Sequence, residues 1–182
     1  MEYVVLGLLN LGASTIYELN KAFKQGISLF YSASYGSLQA TLKKLMEANY
    51  IEMTMCVENG RQKKHYHITE NGREHFLNWM VEDIAPGNKL EVTVLSKLFF
   101  LGLIESGEER EALIDKMIVA IDVACVELKQ ADEELQTLPK AVLESPVFHF
   151  QYKTLLYGRN AHSKALIWFR ELLDEEKKKR GC

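Results

Sequence analysis

Two short stretches hold the side chains best placed to do chemistry. The first, Ser34–Glu47, reads SYGSLQATLKKLME. It carries hydrogen-bonding groups at Ser34, Tyr35, Ser37, Gln39 and Thr41, cations at Lys43 and Lys44, and very small residues at Gly36 and Ala40. The second is the basic run Arg61, Gln62, Lys63, Lys64, followed by His65 and His67. Small residues that let a backbone approach base edges, polar groups toward the start of a helix, and cations farther along are what major-groove recognition of DNA requires. A basic hairpin tip suits flanking phosphates or a minor groove. His65 and His67 would share one face of a strand, but with no third ligand nearby they read as outward strand residues and not a metal site. No nucleophile elbow, phosphate-cradling glycine loop, HExxH motif or convincing carboxylate pair is present, so neither enzyme activity nor a cofactor is expected.

The elements that must hold these residues follow from periodicity. Val4, Val5, Leu8, Leu9 and Leu11 recur at helical spacing over 2–11, ending at Gly12. Ser14 or Thr15 can cap a second helix, with Ile16, Leu19, Ala22 and Phe23 inward and Gly26 at its end. In the third helix Tyr35, Leu38, Leu42, Leu45 and Met46 share one side, leaving Gly36, Ser37, Ala40, Lys43, Lys44 and Glu47 on the other. YIEMTMCV and KKHYHIT have strand composition, and Asn59-Gly60 between them signals a tight hairpin. Thr69 then caps a helix whose Phe76, Leu77, Met80 and Ile84 turn inward. Three helices, a ribbon and a further helix make a winged helix-turn-helix.

Pro86-Gly87 breaks the chain into an α+β head, 1–84, and an almost wholly helical part, 85–182. Helices are expected over 89–105, 107–137 and roughly 145–177, the last two far longer than the usual ~11 residues. Ile114, Ile118, Ile121, Cys125 and Leu128 form one apolar stripe, and Phe148, Tyr152, Leu155, His162, Leu166 and Phe169 another. Such stripes predict an antiparallel, coiled-coil-like pair that also forms the interface of a homodimer. His162 and Arg159 interrupt the last stripe and are read as structural pairing. Trp79, Tyr152, Tyr157 and Trp168 are candidate walls of a pocket for a small aromatic or hydrophobic effector. Gly158 inside a helix suggests a close crossing. DEEKKKR near the C-terminus reads as a frayed, solvated tail.

The charge balance is −3, but unevenly spread: residues 1–82 hold eight basic and eight acidic side chains, so the acidic excess lies in the second half. No apolar run approaches the ~18 residues of a membrane span. MEYVVLGLLNLG lacks the features of a secretory leader, and Cys56, Cys125 and Cys182 form neither a disulfide framework nor a zinc pattern. A cytoplasmic protein without membrane association is expected.

GASTIYELNKAF, SASYGSLQATLKKLMEANYIE and GRQKKHYHITENGRE together resemble the N-terminal domain of PadR-family transcriptional regulators, with Gln39-Ala40 where that family often has Tyr-Pro. EVTVLSKLFFLGLI and YKTLLYGRNAHSKALIWFRELL are similar to the C-terminal helical domain of the virulence-activator (AphA)-like subgroup. The resemblance implies a homodimeric transcription factor, most often a repressor, that binds double-stranded DNA through helix 34–48 and wing 57–65. Two heads on one helical body would fit a palindrome with half-sites roughly 34 Å apart. The reading from another class is a winged-helix protein-interaction module that does not bind DNA.

Overall fold

The computed structural model describes residues 1–58 and 60–180; Asn59 of the expected hairpin signal and Cys182 lie outside them. The chain divides into two compact units, residues 1–82 with 91–103, and residues 83–90 with 104–182.

The first unit begins with α1 (Glu2–Leu11), which ends at Gly12, φ 154°. Thr15 caps α2 (Ile16–Gln25) in a reciprocal box: its hydroxyl accepts from the Glu18 N–H while the Glu18 carboxylate accepts from the Thr15 N–H at 2.7 Å. A short 3-10 turn, Ile27–Leu29, follows and buries Ile27. Ser34 caps α3 (Tyr35–Glu47), which buries Leu38, Leu42 and Leu45, each worth about 1.5–3 kcal/mol. Tyr35, expected on that inner face, is instead exposed, because it sits on the flank between the leucine stripe and the outer side.

Asn49, in the left-handed region at φ 56°, turns the chain out of α3. The ribbon comprises β1 (Ile51–Glu58) and β2 (Arg61–Ile68), antiparallel, with Ile51 opposite Ile68 and Glu58 opposite Arg61. Ser14 and Tyr66 exchange backbone hydrogen bonds of 3.1 and 2.9 Å, which ties the ribbon to the start of α2. Thr69 joins three elements: its hydroxyl donates to the Asn49 carbonyl at 2.8 Å and accepts from the Gly72 N–H, and its own N–H bonds the Tyr50 carbonyl. It caps α4 (Glu70–Val81), with Phe76, Trp79 and Met80 buried; Leu77, expected to point inward, lies on the exposed side. This is the expected winged helix.

Helix α5 (Leu90–Phe99) runs into a 3-10 turn, Leu101–Leu103, so the helix expected over 89–105 is interrupted. The Phe100 ring lies so close to Gly7 that a β-carbon there would come within 2.6 Å of it. Lys97, buried, donates to the Glu82 carbonyl and stands 5.3 Å from the Trp79 ring centre, a cation against both a helix end and an aromatic face.

The second unit is built on α6 (Gly107–Leu135) and α8 (Pro146–Arg180), with the one-turn α7 (Lys140–Leu143) between them. The two long helices pair antiparallel, Ile114, Met117 and Ile121 facing Leu166, Phe169 and Leu173 in a dry seam. Polar locks sit at both ends. Asp132 takes hydrogen bonds from Tyr152 (2.8 Å) and from Arg159. At the other end Arg110 reaches Glu176 at 3.2 Å, and Arg180 reaches Glu108 and Glu111 at 2.7 and 2.9 Å. DEEKKKR is therefore solvated but not frayed: it is helical, with Glu176, Lys179 and Arg180 in ion pairs. His162 donates from Nδ1 to the Gly158 carbonyl within its own helix, at 2.8 Å.

Two glycines test this packing in opposite directions. A β-carbon at Gly158 would touch Leu128 at an ordinary 4.0 Å, so no close crossing demands glycine there. Gly158→Ala is expected to raise stability by about 0.5–1 kcal/mol. At Gly72 a β-carbon would lie 2.0 Å from the Tyr50 carbonyl oxygen, and Gly72→Ala is expected to cost more than about 2 kcal/mol. Urea unfolding of both variants checks the pair.

Candidate nucleic-acid interface

The rotation of α3 about its own axis decides which residues it offers. With the leucine stripe buried, Gly36, Gln39, Ala40 and Lys43 stand together on the opposite, exposed face, spaced three and four apart. Nothing in the molecule lies within 4 Å of where a Gly36 side chain would begin. Glycine in a helix costs about 1 kcal/mol relative to alanine. No side-chain contact within the chain calls for glycine here, and the missing side chain leaves this part of the face open.

The neighbouring polar residues are partly engaged already. Ser34 and Ser37 form their own capping box: the Ser34 N–H donates to the Ser37 hydroxyl (2.9 Å), the Ser37 N–H to the Ser34 hydroxyl (3.1 Å), and the Ser37 hydroxyl also reaches the Ser34 carbonyl (2.8 Å). The Thr41 hydroxyl donates to the Ser37 carbonyl at 2.9 Å and lies 3.1 Å from the Met1 sulfur. The Ser34 and Thr41 hydroxyls keep only acceptor lone pairs for a ligand, while the Ser37 hydroxyl is taken up within the box, accepting from the Ser34 N–H and hydroxyl and donating to the Ser34 carbonyl. Gln39, exposed, has a side-chain amide with both donor and acceptor capacity.

The two lysines differ. Lys43 makes a loose 3.8 Å pair with Glu47 on its own helix, a contact worth little in water. Lys44 is drawn to α1, where Glu2 accepts from it at 3.0 Å. The other Glu2 oxygen meets His75 at 3.3 Å, and His75 is stacked on Tyr50 with ring centres 4.2 Å apart. Burial raises the Glu2 carboxyl, but Lys44 and then His75 outweigh it and hold the group below its ordinary value. The same carboxylate lifts Lys44 above the ordinary lysine value. Nothing in the local pattern around Lys44 announced this bridge, because Glu2 is 42 residues away; a negative residue in the first turn of α1 was its only trace.

On the ribbon, Arg61, Gln62, Lys63 and Lys64 are all exposed. His67 hydrogen-bonds Thr54 across the strands at 2.8 Å, and His65 is half-buried. Among the described residues no group of three or more potential metal ligands comes together. No described helix is long and apolar enough to cross a membrane.

The expected effector residues have different settings. Trp79 belongs to the core of the first unit, stacked on Tyr3 at 4.6 Å. On α8, Tyr152 turns to Asp132, whose hydrogen bond raises its phenol, whereas Tyr157 and Trp168 are exposed on another face. Of the expected interface residues, Ile114, Ile121, Leu166 and Phe169 are buried within the α6–α8 pair of one chain, and Ile118, Cys125, Leu128, Phe148, Tyr152, Leu155 and His162 are half-buried along it. Burial pushes the Cys125 thiol above its usual range.

Residues 5–78 match the model of the "Transcriptional regulator PadR-like family". The negative transcriptional regulator PadR of Bacillus subtilis (strain 168) is 23% identical over 118 residues, 64% of this chain and 65% of that protein, so the chain spans just under two thirds of that relative's length. The probable transcriptional regulator Rv1176c of Mycobacterium tuberculosis (strain ATCC 25618 / H37Rv) is 24% identical over 176 residues, 92% and 93% of the two chains. The crystal structure of Bacillus subtilis PadR in complex with operator DNA aligns with 96% of this chain and 98% of that one, at 21% identity and a TM-score of 0.47. The family match falls within the first unit, and both relatives carry the name of a transcriptional regulator.

The Glu2 bridge has a pH signature. A carboxyl held below its unfolded value contributes stability that is complete above about pH 4.3 and disappears as pH falls through the folded value. Glu2→Gln is therefore expected to flatten the acid limb of a melting-temperature profile between about pH 5 and 3 while leaving its shape between about pH 6 and 9 unchanged.

Proposed function

We propose that this PadR-like chain is a sequence-specific DNA-binding transcriptional regulator, a repressor acting as a homodimer on a palindromic operator. The observation that carries the reading is the bare outer face of α3: Gly36, with open space where a side chain would stand, and exposed Ala40, flanked by Gln39 and Lys43. A helix so shaped lets its backbone approach base edges in a major groove. Gln39 would read bases, with Ser34, Tyr35, Ser37 and Thr41 as accessory contacts on either flank. Lys43, Lys44, Arg61, Lys63 and Lys64 would hold phosphates, with Gln62 beside them at the wing. In this reading residues 1–84 are the DNA-binding part and 85–182 the dimerising part, the latter of the virulence-activator-like kind.

The dimer contact is best assigned to a second stripe. Val119, Val123 and Val126 on α6 recur at spacings of four and three on the side away from the seam, and all three are exposed. On α8, Phe150, Tyr157, Ala161 and Trp168 follow a heptad pattern and are likewise exposed. Exposed apolar rows on paired helices call for a covering surface. A second copy supplies one by symmetry.

Two experiments test these readings. In fluorescence titrations with genomic fragments retained by the purified protein, affinity should fall steeply with salt, and Lys43→Ala should lower the log–log slope by about one. Gly36→Leu should leave thermal stability intact and weaken binding about tenfold or more, since lost base contacts cost about 1–3 kcal/mol each. A flat salt response, with Gly36→Leu silent, would favour the protein-interaction module. Light scattering should report a dimer that Val123→Glu combined with Trp168→Glu converts to a folded monomer; a monomeric wild type would end the homodimer reading.

A further inference from the structure

We propose that the wing works as an apolar wedge as well as a cationic arm: Met55 and Val57 enter a DNA minor groove, Met55 wedging between base steps and Val57 resting on the adjoining sugars. The inference rests on the DNA-binding reading above and adds a contact that reading does not contain.

The strand register assigns the faces. Ile51 and Ile68, Met53 and Tyr66, Met55 and Lys64, and Val57 and Gln62 are directly opposed, so these eight residues share one face of the ribbon. At its base this face belongs to the core, with Ile51 and Tyr66 buried. Burial then fades outward along β1: Met53 is 38% exposed, Met55 53% and Val57 70%. The core ends near Met53, yet the chain stays apolar for two more positions on this face. A strand leaving the core has no internal reason to do so, since alternation there should give way to polar residues on both sides. The opposite face of β1, Glu52, Thr54 and Cys56, is less apolar.

What surrounds the pair identifies its partner. Lys64 lies across from Met55, Gln62 across from Val57, and this face carries no carboxylate among its eight residues. Apolar contacts beside a cation fit a surface with an uncharged floor and anionic walls. The minor groove is such a surface, about 6 Å wide with phosphates on its rims, and methionine is among the side chains that wedge between its base steps. A second copy of the ribbon fits poorly, because the same face would set one Lys64 against another. The face is also correctly disposed: burial, and after it the Tyr35 phenol, raise the Tyr66 phenol, so this side of the ribbon neighbours the first turn of α3.

The test separates an apolar contact from an electrostatic one. Met55→Thr with Val57→Thr keeps strand propensity at two exposed sites. On a retained genomic duplex bearing 2-aminopurine at steps flanking the half-site, wild-type protein should raise the fluorescence by unstacking. The double variant should bind about tenfold more weakly, with the salt slope unchanged and the fluorescence rise lost. Met55→Leu should restore both, which guards against a folding artefact. Lys64→Ala, by contrast, should lower the slope by about one. An unimpaired double variant beside a wild type that binds with a steep salt slope overturns the wedge alone. So does a double variant that loses self-association but not DNA binding. A wild type that binds no duplex overturns the DNA-binding reading, and the wedge with it.

Discussion

The seating of α3 is the constraint on which the first unit depends. At 13 residues it is near the length at which an isolated helix is marginal in water, so its existence and its rotation are set by what it buries. Leu38, Leu42 and Leu45 supply that burial, and the Ser34–Ser37 box fixes where the helix begins. Once those are in place, the identity of the outward residues is determined by the 3.6-residue turn. The elements around it serve the same end. Glu2 of α1 restrains one flank of α3 through Lys44, and the Thr69 junction ties its exit to β1 and α4.

The second unit solves a different problem. Two helices of 29 and 35 residues with repetitive apolar seams can slide by one turn at small cost. The ion pairs at the two ends remove that freedom, because Asp132 with Tyr152 and Arg159, and Arg110 with Glu176, can all form in one register only. Each is a polar group set against an apolar stripe, a choice that favours a unique alignment more than raw stability. The consequence is that the seam stripe is consumed inside the chain and the valine and aromatic rows are left outward.

Local signals were legible from the residues and distant ones were not. Ser14 or Thr15, and Thr69, announce their helices because capping is a matter of a few neighbouring positions, whereas the Ser34 cap is not read from the residues; the hairpin follows from strand composition on both sides of a short turn. The interruption of α5, the fit of Phe100 against Gly7, and the Glu2–Lys44–His75 bridge depend on residues tens of positions apart, and no periodicity encodes them. The long helices show the same limit from another angle. Their sequences carry two apolar stripes each, and periodicity alone does not tell which one a chain keeps for itself. Tyr35 departs from its expected place for a related reason: a flank position satisfies the helical pattern as well as a core one.

Trp79 and Trp168 are the chain's two tryptophans, one in each unit. The first is buried between the Tyr3 ring and the Lys97 ammonium, and the second is half open to solvent on α8. An indole shielded in this way emits at shorter wavelength than one in contact with water. The molecule thus carries two built-in optical probes of different colour, so that melting of the winged head and the covering of the outward α8 row can be followed separately in one unlabelled sample.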